Sequence, residues 1–330
     1  MKKLAKVGLL LLVVTLVLSS MTFGATKYIK NPPWLIGFSQ IGSESEWRTA
    51  NTTSVKNAIT DDPNMMLLAA DAQQKQENQI KALRTFISRK VDVIVFTALV
   101  ETGYGPVLTE AKKAKIPVIM IDRDVQKSDR HLRLTIMGSN FVEEGRKAAR
   151  WLGDYLKKKG IDNGTKEINI VELQGTTGSA PAIDRKTGFE EIMKKEHPNW
   201  KITRSQTGNF TRAEGKAVME AFLKADKTIQ VLYAHNDDMA LGAIQAIKEA
   251  GLKPGKDIII VSIDAVKGAF VAMMAGELNC SVECNPLLGP QTVQAIYDLM
   301  EGKKLPEKID TIEGIFDETN AAEAFPKRQY

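Results

Sequence analysis

Short apolar runs alternate with longer amphipathic segments along most of this chain of 330 residues. The clearest apolar runs are residues 34–39, 65–70, 91–97, 116–121, 168–173, 229–234 and 258–263. Segments with helical periodicity lie between them, such as residues 76–90, 142–159 and 239–250. Apolar strands that alternate with helices are typical of parallel sheets whose two faces are covered by helices. The pattern therefore predicts an α/β fold.

The number of sheets follows from length. Without its first 25 residues the chain has roughly 300, which exceeds what one hydrophobic core usually supports. Strands distributed over this length fit two open parallel sheets better than one closed barrel. An eightfold barrel is the alternative that the pattern leaves open.

The N-terminus predicts export. Lysines at positions 2, 3 and 6 precede an apolar run over residues 7–18, and small and polar residues follow up to Ala25. This is the pattern of a secretory signal peptide, here residues 1–25, cleaved near Ala25. The alternative is a membrane anchor, but the run is about a dozen residues long and a spanning helix needs roughly twenty. We expect a free protein in the periplasm.

The net charge argues against a nucleic-acid partner, and the cysteine spacing argues against a disulfide. The net charge is +5, and removing the three lysines of the predicted signal peptide leaves +2, too close to neutral to indicate a nucleic-acid partner. Cys280 and Cys284 are four residues apart in a predicted strand. Their Cα atoms would then lie ~13 Å apart, beyond the ~7 Å that a disulfide can bridge. We expect no disulfide.

Polar side chains follow several of the predicted strands. Ligands of open parallel sheets bind beyond the carboxyl ends of the strands, so these side chains converge on one edge. Each residue alone could be a helix cap or a turn residue, but carboxylates, guanidinium groups, an amide and an indole recur there together. Sugars offer hydroxyl pairs and apolar C–H faces, which suit planar hydrogen-bonding groups and a stacking ring. These residues are Glu44 to Arg48, Asp122, Arg123, Asn236 and Asp264.

Several segments closely resemble one protein family. Residues 37–48, 71–81, 171–175, 182–189, 233–239 and 246–257 are similar to the galactofuranose-binding branch of the ribose-type periplasmic binding proteins. The resemblance extends through nearly the whole mature chain. It implies two Rossmann-like lobes with open parallel sheets, joined by a hinge of three crossovers near Gly138, Cys284 and Thr311. One lobe would comprise residues 26–138 plus 285–311, and the other residues 139–284 plus 312–330.

The resemblance also implies a set of ligand contacts. Phe210, at a position that stacks on the sugar in ribose-binding relatives, and Cys284 are secondary candidates. Glu46 stands where members of that branch carry glycine, and it could modify the site by pairing with Arg48. The main expected contacts are Glu44, Ser45, Glu46, Trp47, Arg48, Asp122, Arg123, Arg185, Asn236 and Asp264.

The implied function is capture of a monosaccharide for an ABC importer, with a membrane permease and an ATPase as partners. The chain would act as a monomer without a cofactor or metal. Ribose-binding relatives carry aromatic residues at both positions of the Trp47-Arg48 pair. A guanidinium at the second position favours a sugar with an extra acceptor, such as the exocyclic diol of galactofuranose. Ribose, arabinose or galactose binding, or a sensor role, are the alternatives.

Catalysis and transcription control are disfavoured. Paired acids such as Glu44 with Glu46, or Asp122 with Asp264, could flank a glycosidic bond, but each has an arginine neighbour that we expect to keep it ionised. The histidines are scattered and form no metal-binding pattern, and there is neither a phosphate-binding glycine loop nor a nucleophile elbow. A regulator would need a DNA-binding helix pair where the signal peptide stands.

Overall fold

The computed structural model describes residues 28–330, so the predicted signal peptide lies outside the described residues. The strands are β1 (Trp34–Gln40), β2 (Met65–Asp71), β3 (Val93–Phe96), β4 (Val118–Ile121), β5 (Thr135–Gly138), β6 (Ile168–Gln174), β7 (Trp200–Thr207), β8 (Val231–Ala234), β9 (Ile259–Asp264), β10 (Cys280–Glu283), β11 (Lys308–Asp310) and β12 (Ile315–Asp317). The helices are α1 (Glu46–Thr60), α2 (Gln76–Ser88), α3 (Gly105–Lys113), α4 (Phe141–Lys158), α5 (Ala180–Glu196), α6 (Arg212–Ala225), α7 (Asp237–Glu249), α8 (Lys267–Met274), α9 (Gly289–Met300) and α10 (Ala321–Ala324).

The strands form two open six-stranded sheets, one in each lobe. The first has the order β11-β5-β4-β3-β1-β2 and the second the order β12-β10-β9-β8-β6-β7. Every pairing is parallel except that of β12 with β10, which is antiparallel. These open sheets rule out the barrel that the sequence pattern left open.

The chain passes between the two sheets three times. It leaves the first sheet after β5, returns to it after β10, and crosses again between β11 and β12. The first lobe therefore includes α9, whose buried residues Ala295, Ile296, Leu299 and Met300 share an apolar cluster with β1 and α1. Each lobe is built from segments that are far apart in sequence.

Several helices begin directly after a strand because a polar residue caps them. The side chains of Ser45, Asn140, Thr211 and Asn236 accept hydrogen bonds from backbone N–H groups in the first turns of α1, α4, α6 and α7. Such caps satisfy N–H groups that have no partner within the helix. The loops at the carboxyl edge of each sheet are consequently short, and their polar side chains lie close to the strand ends.

Both cysteines are free and buried. Within residues 28–330, no helix is both long and apolar enough to cross a membrane.

Candidate functional site

A cavity lies between the two lobes at the carboxyl edges of the sheets. The space inside it, counted to where it opens to solvent, is about 270 Å³. Its walls are formed by Glu44, Ser45, Trp47, Arg48, Asp122, Arg123, Pro181, Arg185, Phe210, Asn236, Asp264 and Cys284.

Three of the lining residues have left-handed backbone conformations. Asp122 has φ of +60°, Phe210 of +63° and Asp264 of +131°. Positive φ is uncommon outside glycine, and for a bulky residue such as phenylalanine it costs free energy that the surroundings must offset. Strained backbone of this kind is concentrated at ligand sites, where it aims a side chain that regular structure would turn away.

In the first lobe, Arg48 joins two carboxylates. Its Nε lies 3.0 Å from Glu44 Oε1 and its Nη2 lies 2.6 Å from Asp122 Oδ2, and all three side chains are buried. Burial opposes the charge of Arg48, but Asp122 and Glu44 outweigh it and raise the pKa of the guanidinium. Arg123 lies beside them, with Nη2 3.5 Å from Glu44 Oε1. Burial, followed by repulsion from Arg48, lowers the pKa of Arg123 to about 10.

In the second lobe, Arg185 has the corresponding position. Its Nε donates to Glu144 Oε2 at 2.7 Å, and its Nη2 lies 3.6 Å from Asp264 Oδ1. Burial again opposes the charge, yet Glu144, Cys284 and Asp264 raise the pKa of Arg185. Burial also raises the pKa of Asp264 well above its ordinary value, although Arg185 opposes that rise.

Aromatic rings complete the walls. The Phe210 ring lies 5.0 Å from Arg123 Cζ and 6.0 Å from Arg185 Cζ, so it contacts guanidinium groups of both lobes. Trp47 Nε1 donates to the Cys284 carbonyl at 2.6 Å, and Arg48 Cζ lies 4.7 Å from the Trp47 ring. Cation–π contacts at such distances favour the charged guanidinium forms.

Asn236 holds Phe210 in place. Its Oδ1 accepts from Met239 N, and its Nδ2 donates to the Phe210 carbonyl at 3.1 Å. An amide has two acceptor sites and two donors, so each end keeps capacity for one further hydrogen bond. Asn236 therefore caps α7, fixes the aromatic wall, and can still reach a ligand.

Two guanidinium donors at the cavity have no hydrogen-bond partner among residues 28–330. They are Arg48 Nη1 and Arg123 Nε, and both atoms are buried. A buried donor without a partner costs roughly 1–3 kcal/mol. A ligand with acceptor oxygens at these two points would remove that cost.

The structure brings together all but one of the residues that the sequence predicts as ligand contacts. Glu46 is the exception, since it does not line the cavity. It pairs with Arg212 at 2.9 Å rather than with Arg48, because as the first residue of α1 it points across the mouth of the cavity to the other lobe. Phe210 and Cys284 do line the cavity.

Sequence reasoning missed Pro181 and Glu144. Pro181 lines the cavity from the first turn of α5, and Glu144 binds Arg185 from α4. Both residues are several positions away from the end of any predicted strand, so a search of the residues directly after each strand does not find them. The helical periodicity of α4 does place Glu144 on its buried face.

The expectation that every carboxylate is held ionised by an arginine is wrong for Asp264. Its distance of 3.6 Å from Arg185 is too long to offset complete burial. Charge pairing alone therefore gives no reason against acid chemistry at Asp264.

One group of side chains near the cavity has the spacing of a metal site. Glu144, Cys284 and Glu313 carry possible ligand atoms within 4.8 Å of one another. Arg185 already pairs with Glu144, and Ser139 donates to Glu313. Hydrogen bonds and one ion pair thus account for much of this group without a metal.

Known proteins are similar over most of the chain. Residues 36–304 match the family described as periplasmic binding protein domain. The galactofuranose-binding protein YtfQ of Escherichia coli (strain K12) is 48% identical over 297 residues, which are 89% of this chain and 91% of that protein.

Solved structures are similar over nearly the same span. A Mycobacterium smegmatis protein crystallised in complex with β-D-fucofuranose is 49% identical with a TM-score of 0.85, covering 90% of this chain and 95% of that chain. The periplasmic binding protein component of the arabinose ABC transporter from Shewanella sp. ANA-3, bound to α- and β-L-arabinofuranose, is 50% identical with a TM-score of 0.83. That match covers 89% of this chain and 95% of the Shewanella chain.

Proposed function

The chain belongs to the periplasmic binding protein family, and from this premise we propose that it captures a furanose-form monosaccharide and delivers it to an ABC importer. Its two lobes have the fold of type I periplasmic binding proteins, as the sequence predicts. Proteins of this class bind and release a substrate without changing it, so the chain is not an enzyme. Membership in the family also implies export to the periplasm.

One observation carries the proposal. The interlobe cavity is lined by guanidinium, carboxylate and aromatic groups, and two of its guanidinium donors have no hydrogen-bond partner among the described residues. Hydroxyl oxygens of a sugar supply such partners, and the Trp47 and Phe210 rings suit its C–H faces. The proposed ligand contacts are the predicted residues that line the cavity, which leaves out Glu46.

Arg48 supports the choice of a furanose with an exocyclic diol. Its Nη1 has no partner within residues 28–330, while Nε and Nη2 are held by Glu44 and Asp122. A ligand without an acceptor at this point leaves the donor unpaired at a cost of about 1–3 kcal/mol. A galactofuranose-like sugar offers that acceptor, and relatives that bind furanoses share close to half of their residues with this chain.

Further parts of the proposal concern processing and partners. We place signal cleavage near Ala25, the lobes at residues 26–138 plus 285–311 and 139–284 plus 312–330, and the working state as a monomer that docks on a permease and its ATPase. The passage of the chain between the two sheets supports these lobe limits.

Calorimetry and NMR together test the ligand. We expect mature protein to bind galactose more tightly than ribose in titration calorimetry. NMR of galactose labelled with carbon-13 at its anomeric carbon should show the bound sugar in the furanose form. L-arabinose is the comparison sugar that lacks the terminal hydroxymethyl group. Ribose binding as tight as galactose binding, or a bound pyranose, would contradict the furanose proposal.

A further inference from the structure

Three charged residues connect the lobes outside the cavity. Arg212 Nη2 lies 2.9 Å from Glu46 Oε1 in the first lobe and 2.9 Å from Asp238 Oδ1 in its own lobe. The backbone N–H of Glu46 also donates to Asp238 Oδ2 at 2.8 Å. None of the three lines the cavity.

We propose that Glu46, Arg212 and Asp238 form an electrostatic latch that stabilises the closed form and slows sugar release. The inference rests on the proposed function, because only a protein that opens and closes has a use for a latch. The three residues act on affinity through lobe closure and not through contact with the ligand.

The latch consists of one ion pair within the second lobe and two contacts that form only when the lobes close. Arg212 and Asp238 lie in the first turns of α6 and α7 of the second lobe, so their ion pair persists when the lobes separate. The pairs of Glu46 with Arg212 and of the Glu46 N–H with Asp238 join different lobes. Opening must break both of these pairs.

The geometry makes the interlobe pairs selective for the closed form. Asp238 has only 6% of its side chain exposed, and it accepts from the first N–H of α1, where the helix dipole favours negative charge. Gly268 leaves room for the Glu46 carboxylate, since a Cβ at this glycine would lie 3.3 Å from Glu46 Oε2. Another interlobe hydrogen bond, from Glu101 N to the Gly178 carbonyl, joins backbone groups only.

The change Glu46→Gln removes the charge of the latch and keeps its shape and its backbone bond to Asp238. The Glu46 and Arg212 side chains are 48% and 40% exposed, and ion pairs of this exposure are weak. We expect the closed-to-open ratio to fall about two- to fivefold, with sugar release faster by a similar factor. The difference from the wild type should shrink at high salt because exposed charges are screened.

Glu110→Gln is the matched control. Glu110 pairs with Arg84 at 2.9 Å, both side chains are about half exposed, and both belong to the first lobe. Removing this pair changes net charge equally but breaks no interlobe contact. The control should leave the closed-to-open ratio unchanged.

The closed-to-open ratio without sugar can be measured from the distance between spin labels on two introduced surface cysteines, one in each lobe. The native cysteines are buried, so the labels should react with the introduced ones. Equal ratios for Glu46→Gln and Glu110→Gln would overturn the latch. Asp238→Asn is a second variant, and it should favour the open form more strongly because its carboxylate is more buried. Absence of any response of wild-type protein to galactose, L-arabinose or ribose would instead refute the proposed function, so the two failures are distinguishable.

Discussion

Arg48 shows how the site tolerates buried charge. It lies between Glu44 and Asp122, so the guanidinium neutralises carboxylates that would be costly to bury alone. In the other lobe Arg185 pairs with Glu144, and burial raises the pKa of the neighbouring Asp264 well above its ordinary value. Each half of the site is therefore close to charge balance before a neutral sugar binds, and the sugar need not supply a counter-charge.

Arg123→Ala should weaken sugar binding. Arg123 Nε has no hydrogen-bond partner among the described residues, and its guanidinium contacts the Phe210 ring across the cavity. Removing it deletes a donor to the sugar and leaves Asp122 with one fewer cation. We expect a loss of about 1.5–3 kcal/mol, roughly ten- to a hundredfold in affinity by calorimetry.

The exposed Arg84→Ala is the control for that change, because Arg84 pairs with Glu110 at the surface of the first lobe. Its affinity should equal that of the wild type. A folded Arg123→Ala protein with undiminished affinity would show that Arg123 does not contact the ligand.

Position after a strand predicts some site residues and not others. Asp122 and Asp264 stand at or next to strand ends, where the topology of a parallel sheet brings them to the cavity. For Glu46 the outcome depends on the residue at which α1 begins. Successive helical residues point about 100° apart, so Trp47 and Arg48 line the cavity while Glu46 reaches the other lobe. No pattern in the sequence specifies that rotation.

At the scale of elements, strands that lie within apolar runs are the predictable ones. The predicted runs agree with β1, β2, β3, β4, β6, β8 and β9 to within a few residues. β7 was missed because most of its residues are exposed and polar, which hides a strand from an apolar pattern. β11 and β12 have three residues each and pair at sheet edges, so they are too short for periodicity to show.

The crossovers meet at Glu313, which should make stability depend on pH. Glu313 accepts from Ser139, Thr311 and the backbone of Asn285, so it joins the three connections. Burial and the nearby Glu144 raise the pKa of Glu313 to about 7. In the unfolded chain the pKa of Glu313 is about 4.3. Between that pH and about 7, Glu313 is protonated in the folded protein and ionised in the unfolded chain, so the stability that its protonation contributes is lost as pH rises through this window.

Glu313→Gln keeps a neutral, hydrogen-bonding side chain and removes the titration. Urea unfolding at pH 5 and pH 8 should show the wild type losing more stability than the variant over this interval. Parallel pH profiles of the two proteins would mean that Glu313 is ionised throughout in the folded state.

At the scale of the whole molecule, the cavity depends on both lobes. Its lining residues come from both sheets, and its aromatic wall meets arginines of each lobe. A ligand that contacts both lobes favours the closed arrangement, and hinge closure in periplasmic binding proteins is a known case.

Sugar should therefore reduce the radius of gyration in small-angle scattering. The reduction should be absent for Arg123→Ala at sugar concentrations that saturate only the wild type. An identical radius with and without saturating sugar in the wild type would contradict closure.

The three passages between the sheets also set the order in which the molecule can be completed. A chain that emerges N-terminus first presents β1 to β5 early, but the apolar face of that sheet is covered by α9. Helix α9 follows every strand from β6 to β10 in the sequence. During synthesis and export, the first lobe is therefore held unfinished, with one of its two apolar clusters only partly covered, until most of the second lobe has emerged.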